Sequence, residues 1–242
     1  MRTEPVEFKV EGQILRGNIY FAIKPKKLAL LFLHGWTGKP NNNAAKVMAE
    51  NGFNCMAFSL SGHNDSDGKI EDQTRQKSLK EVVAAYDYFK ERLLEGAKIV
   101  AVGNSYGGYL APVLSSGREL AAVSMRVPAN YPDKGFSNAH QIETSKSSFV
   151  MEWRKQKVGS SETKSLRALH RFKGPIQIIE AEHDDAIPHQ TVMNYVEAVP
   201  NEGQLKYDFM KGWPHSLGDH ETCNKQFQKV LLNWAEKVEE KL

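Results

Sequence analysis

Cysteine is nearly absent: Cys55 and Cys223 are the only two in 242 residues. Two cysteines cannot make a disulfide framework, and a chain of this length buries a large core without such staples. Both read as core or surface thiols in a reducing cytoplasm, the expected compartment. Long apolar runs are missing too. The longest, Leu28–Leu33, falls far short of the roughly 20 residues that span a bilayer. Met1–Val10 mixes charge with single apolar residues, so no targeting segment is expected. Charge of one sign is not in excess either: 32 Lys and Arg face 29 Asp and Glu, a formal net charge of +3. Without clustering, that argues against nucleic acid as a partner. Hydrophobic residues at 40% and charged residues at 25% are ordinary for a globular protein, which excludes disorder, collagen-like repeats and coiled coil.

What is present is an alternation of strand and helix patterns. Val6, Phe8 and Val10 alternate with polar residues, Gly12 turns the chain, and Ile14–Phe21 continues, predicting a β-hairpin. Leu28–Leu33 reads as a strand buried on both faces. A helix over Asn43–Asn51 and a strand over Phe53–Leu60 follow. Leu79, Val82, Val83, Tyr86, Phe89 and Leu93 recur at helical spacing, with Gly96 as the stop. Further strands are expected at Lys98–Val102, Leu120–Val127, Ile176–Ala181 and Leu205–Met210. Helices are expected around Leu110–Leu114, Thr191–Val199 and Phe227–Val238. This order predicts an α/β protein with a mainly parallel sheet covered on both faces. The polar stretch from about Ala129 to Lys173 breaks the rhythm and reads as an insertion over the sheet's carboxyl edge.

The chemistry concentrates in Gly103-Asn104-Ser105-Tyr106-Gly107-Gly108, between a short strand and an amphipathic helix. That is the setting of a Gly-x-Ser-x-Gly nucleophile elbow; the alternative is a glycine-rich turn with a capping serine. A serine hydroxyl needs a base, and the base needs an orienting carboxylate. Beyond the strand at Ile176–Ala181 come Asp184 and Asp185, only one of which can face the base. Beyond Leu205–Met210 comes His215. Leu33-His34-Gly35-Trp36 follows the third strand, so the backbone N–H of Trp36 can pair with that of Tyr106 as an oxyanion hole. His34 itself reads as a brace for the loop rather than a catalyst. His183 beside the aspartates has no further ligands at metal spacing, so no metal and no cofactor are expected.

Together with the Ser59-Leu60-Ser61-Gly62-His63 turn and Ile187-Pro188, these residues make the sequence resemble the α/β-hydrolase fold family over nearly its whole length. The resemblance implies an eight-stranded sheet with an antiparallel second strand, helices on both faces, and a small cap between strands six and seven. The expected organisation is one domain, residues 1–242, with the cap at about 129–173. The resemblance also makes Ser105 the nucleophile, His215 the base and Asp184 its orienter, and it assigns the oxyanion hole to Trp36 and Tyr106. The pattern usually has Gly where Ala181 stands. Ser105-Tyr106-Gly107-Gly108-Tyr109 also looks like serine peptidases of the prolyl-oligopeptidase type. Those carry a large propeller for which this chain has no room.

The expected activity is therefore that of a serine hydrolase cleaving a small-molecule carboxylic ester. Thioesters and small peptides or amides use the same machinery, and a ligand-binding receptor with negligible turnover is the alternative from another class. A homodimer is left open. The cap holds nine basic residues against four acidic ones, which reads as a solvated lid face or as an attractor for anionic substrates. Arg126, at the end of an apolar strand, either contacts substrate or holds the cap. Trp153, with Phe149 and Met151, either faces the site from the cap or anchors it.

Overall fold

The computed structural model describes residues 1–139, 148–218 and 220–242. His140, Glu143 and Lys146 of the expected cap lie outside the described residues. Strands β1 (Arg2–Val10) and β2 (Gln13–Phe21) form the predicted hairpin. Both residues of its two-residue turn have positive φ, Glu11 at 47° and Gly12 at 86°. That turn type matches the right-handed twist of the paired strands. The remaining strands are β3 (Leu28–Leu33), β4 (Asn54–Phe58), β5 (Lys98–Asn104), β6 (Ala122–Arg126), β7 (Ile176–His183) and β8 (Leu205–Pro214). One eight-stranded sheet results, in the order β1-β2-β4-β3-β5-β6-β7-β8. Strand β2 is antiparallel to both neighbours and the other pairings are parallel. This is the expected α/β-hydrolase sheet.

Side chains alternate across a strand, so β3 divides its six apolar residues between two cores. Ala29, Leu31 and Leu33 join one cluster, whereas Leu28, Leu30 and Phe32 join the other. The first cluster is roofed by α2 (Arg75–Lys90), α3 (Tyr106–Leu114), α5 (Lys164–Arg171) and α6 (His189–Ala198). The second is roofed by α1 (Asn42–Glu50) and α7 (Glu221–Glu239). A short helix α4 (Ser148–Arg154) completes the seven helices among the described residues.

Helix α3 departs from the expected amphipathic pattern, because every one of its residues is buried. It is wedged between the sheet and helices α2 and α5, so it has no solvent face to mark with polar residues. Helix α5 lies inside the stretch read as an insertion, yet it buries Leu166, Ala168 and Leu169 and packs on α3 and α6. Residues 164–171 therefore belong to the layer that covers the sheet. Strand β8 outruns its expected end at Met210, because a bulge between Ala181 and His183 lets pairing continue to Pro214.

Candidate active site

All parallel strands end at one edge, and the loops after β3, β5, β7 and β8 meet there. Ser105 sits between β5 and α3 with φ 50° and ψ −109°. A non-glycine residue in such backbone geometry stores on the order of 1–3 kcal/mol of strain. Close packing holds it there. A Cβ on Gly103 would lie 2.2 Å from the Gly107 carbonyl oxygen, and one on Gly107 would lie 2.1 Å from that of Leu33. Only glycine lets strand and helix approach so closely. The Ser105 N–H donates to the Arg126 carbonyl (2.9 Å), and the Ser105 carbonyl accepts from Ala129 (3.0 Å) and Tyr109 (3.2 Å).

Asp184 lies just past β7, and His215 just past β8. His215 Nδ1 is 2.7 Å from Asp184 Oδ2. A carboxylate only accepts, so Nδ1 carries the proton and Nε2 is left as a base. The other carboxylate oxygen, Oδ1, accepts from the N–H groups of Ala186 (2.9 Å) and Ile187 (2.7 Å). Those two bonds fix the carboxylate at the start of the Ala186-Ile187-Pro188 turn. Asp185, its neighbour, is exposed.

The loop after β3 passes directly over Ser105: a Cβ on Gly35 would sit 3.3 Å from Ser105 Cβ. His34 braces this loop, as expected. Its Nε2 accepts from the Leu60 N–H at 3.0 Å, so its Nδ1 donates to the Gly35 carbonyl at 2.8 Å. Trp36 packs edge-on against the rings of Tyr106 and His63, 5.5 and 5.2 Å between centroids. Tyr106 begins α3, and its hydroxyl donates to Ser78 Oγ.

Burial of His34, reinforced by the nearby His63, lowers its pKa to about 4. In the unfolded chain it takes a proton below about pH 6.5. The unfolded state thus binds more protons between those values, and stability falls as the pH drops through them. His63 is shifted in the same direction by its own burial. Going from pH 7 to pH 5 is expected to remove about 2 kcal/mol of unfolding free energy through His34 alone. Urea titrations at the two pH values measure this, and His34→Gln should shrink the difference.

Ser105, His215, Arg126, Trp36 and Asn104 line one cavity of 1160 Å³. No described residue of the stretch 129–173 lines it. Arg167 pairs with Asp133, Lys155 with Glu152 and Lys157 with Glu197. Trp153 is partly buried against the larger core cluster and lies outside this cavity, while Phe149 is exposed. Arg154, next along α4, is buried and does the anchoring: its guanidinium donates to the Ala186 carbonyl (3.4 Å), and its carbonyl accepts from the Thr191 hydroxyl (2.7 Å) in α6.

Among the described residues, Arg126 makes no hydrogen bond or ion pair from its side chain to the cap. Its guanidinium donates to the His215 carbonyl (2.8 Å) and to Asn104 Oδ1 (3.3 Å). Asn104 Nδ2 in turn donates to Asn41 Oδ1 (3.0 Å) at the start of α1. Sequence patterns alone do not single out Asn41 and Asn104. The one signal is three polar residues, Asn41, Asn42 and Asn43, opening a helix right after the His34–Lys39 loop.

The fold recurs widely among solved structures. Est1E from Butyrivibrio proteoclasticus, with ferulic acid bound, is 19% identical with a TM-score of 0.74, over 96% of this chain and 98% of that one. An alpha-beta serine hydrolase homologue from Coxiella burnetii is 16% identical with a TM-score of 0.68, over 95% and 96%. An acylaminoacyl peptidase from Pyrococcus horikoshii is 15% identical with a TM-score of 0.71, over 97% of this chain but only 41% of that one. No curated protein matches the sequence. Residues 41–241 match the model of the prolyl oligopeptidase family, Peptidase_S9, which is most of the chain. The chain therefore belongs to the prolyl oligopeptidase family and is a serine hydrolase of the α/β-hydrolase fold.

Proposed function

We propose that the chain cleaves a small carboxylic ester through an acyl-enzyme on Ser105. Ser105 Oγ attacks the substrate carbonyl, and His215 Nε2 takes the hydroxyl proton. Asp184 holds the imidazole in the tautomer this requires and stabilises the imidazolium that forms. The oxyanion of the tetrahedral intermediate rests on the backbone N–H groups of Trp36 and Tyr106, each such donor supplying about 3–4 kcal/mol. The N-terminal end of α3 adds favourable potential there. The proton on His215 then passes to the leaving alcohol, and water repeats the sequence to free the acid. The sheet with its two helical layers acts as one catalytic domain.

One observation carries the reading. A histidine oriented by a carboxylate at 2.7 Å opens on the same cavity as a serine held at φ 50°. The family match favours one second reading, a small peptide or amide as substrate. The test is a panel of p-nitrophenyl esters from acetyl to palmitoyl, run beside methyl ferulate, a thioester and an aminoacyl anilide. Ester kcat/KM should exceed that of the anilide at least tenfold. Turnover of the anilide alone would move the assignment to a peptidase. Binding without turnover of any substrate would make the chain a receptor.

A further inference from the structure

Arg126 occupies an unusual position. It ends β6, it is only 6% exposed, and it touches both halves of the reacting pair. Its backbone carbonyl accepts the N–H of Ser105, and its side chain donates to the carbonyl of His215. Among the described residues, that is the one hydrogen bond made to the His215 carbonyl. His215 lies beyond the last paired residue of β8, so neither sheet nor helix fixes its backbone. The second donor of the fork, Nε, reaches Asn104 beside the nucleophile, and Asn104 reaches Asn41 on the far side of the β3 loop.

Resting on the ester-hydrolase reading above, we propose that Arg126 is a positioning residue for His215. With Asn104 and Asn41 it forms a strut that joins the base loop, the nucleophile turn and the start of α1. Its two acceptors are neutral, and no carboxylate among the described residues lies within 4.0 Å of it. Burial lowers its pKa to about 10, opposed by the charge of Asp184. A desolvated cation with neutral partners is costly to keep, and the charge that offsets it belongs to the carboxylate orienting His215. The planar fork matters as much as the charge. A lysine ammonium has no such paired donors and cannot hold both acceptors in that geometry.

The test separates positioning from substrate contact by using two substrates, diethyl succinate and its anionic half-ester, monoethyl succinate. Arg126→Met should lower kcat on both by about 10²-fold, the size expected for a misplaced catalytic group, with KM changed less than twofold. Arg126→Lys should recover less than tenfold of that loss, and it carries the test if the methionine variant does not fold. Asn41→Ala, at the far end of the strut, should lower kcat a few-fold on both substrates. A KM increase confined to monoethyl succinate, with kcat intact, would overturn the proposal and make Arg126 an anion-binding group. Unchanged kcat in the lysine variant would overturn it as well. A readout independent of turnover is the NMR signal of the His215 imidazole. One sharp set is expected in the native protein and a broadened or doubled set in the variants; an unaltered set contradicts the strut. Absence of ester turnover in the native protein would overturn the ester reading alone, leaving the NMR comparison to decide the role of Arg126.

Discussion

Replacing Ser105 with alanine is expected to lower kcat for ester hydrolysis by about 10⁴- to 10⁶-fold, as when a triad nucleophile is removed. The variant should still fold. Alanine keeps the Cβ, and the bonds that hold this turn run through the backbone: the N–H to Arg126, and the carbonyl to Ala129 and Tyr109. The Asp184–His215 pair is untouched. What remains is the contribution of the oxyanion donors, which stabilise charge on a substrate that only water can attack. Reaction with a fluorophosphonate should vanish in the variant. Turnover within tenfold of the native rate would place the nucleophile elsewhere.

Asp184→Asn is expected to cost on the order of 10⁴-fold in kcat with little loss of thermal stability. The asparagine carbonyl oxygen still accepts from Ala186 and Ile187, so the turn survives. Its amide nitrogen then faces His215 Nδ1, and two donors cannot pair. The imidazole must place its proton on Nε2, where a base is needed. Asp185→Asn is the control: it is exposed and should stay within about twofold of the native rate. Comparable losses in both variants would undo the assignment of the orienting carboxylate.

Residues with strong local signatures are legible in the amino-acid sequence itself. The Gly-x-Ser-x-Gly turn carries its own geometry, because glycines at 103 and 107 are required where backbone meets backbone. His215 and Asp184 announce themselves by following strand-like runs, since loops at the carboxyl edge share one rim. Asp184 rather than Asp185 is what the resemblance, with its Ile187-Pro188 pair, implies, and the fold gives that choice a physical basis in the two N–H bonds to Oδ1. Other features depend on contacts that no local pattern encodes. The partners of Arg126 lie 22 and 89 residues away in sequence, so neither spacing nor composition can name them. Helix α3 lacks a stripe because packing surrounds it, and α5 hides in a polar stretch because its outer face is charged. The basic surplus of the cap resembles a substrate filter because composition cannot say which way a side chain points. In the fold three of them, Arg167, Lys155 and Lys157, pair with Asp133, Glu152 and Glu197, and no described residue of the stretch lines the cavity that holds Ser105.

The covalent intermediate is the centre of the proposed mechanism, and it can be observed directly. The protein is quenched in acid within milliseconds of mixing with a p-nitrophenyl ester, digested, and read by mass spectrometry. An acyl adduct is expected on the peptide containing Ser105, formed with a burst of p-nitrophenol and absent from Ser105→Ala. An adduct on another residue, or full turnover with neither adduct nor burst under any quench time, would contradict it.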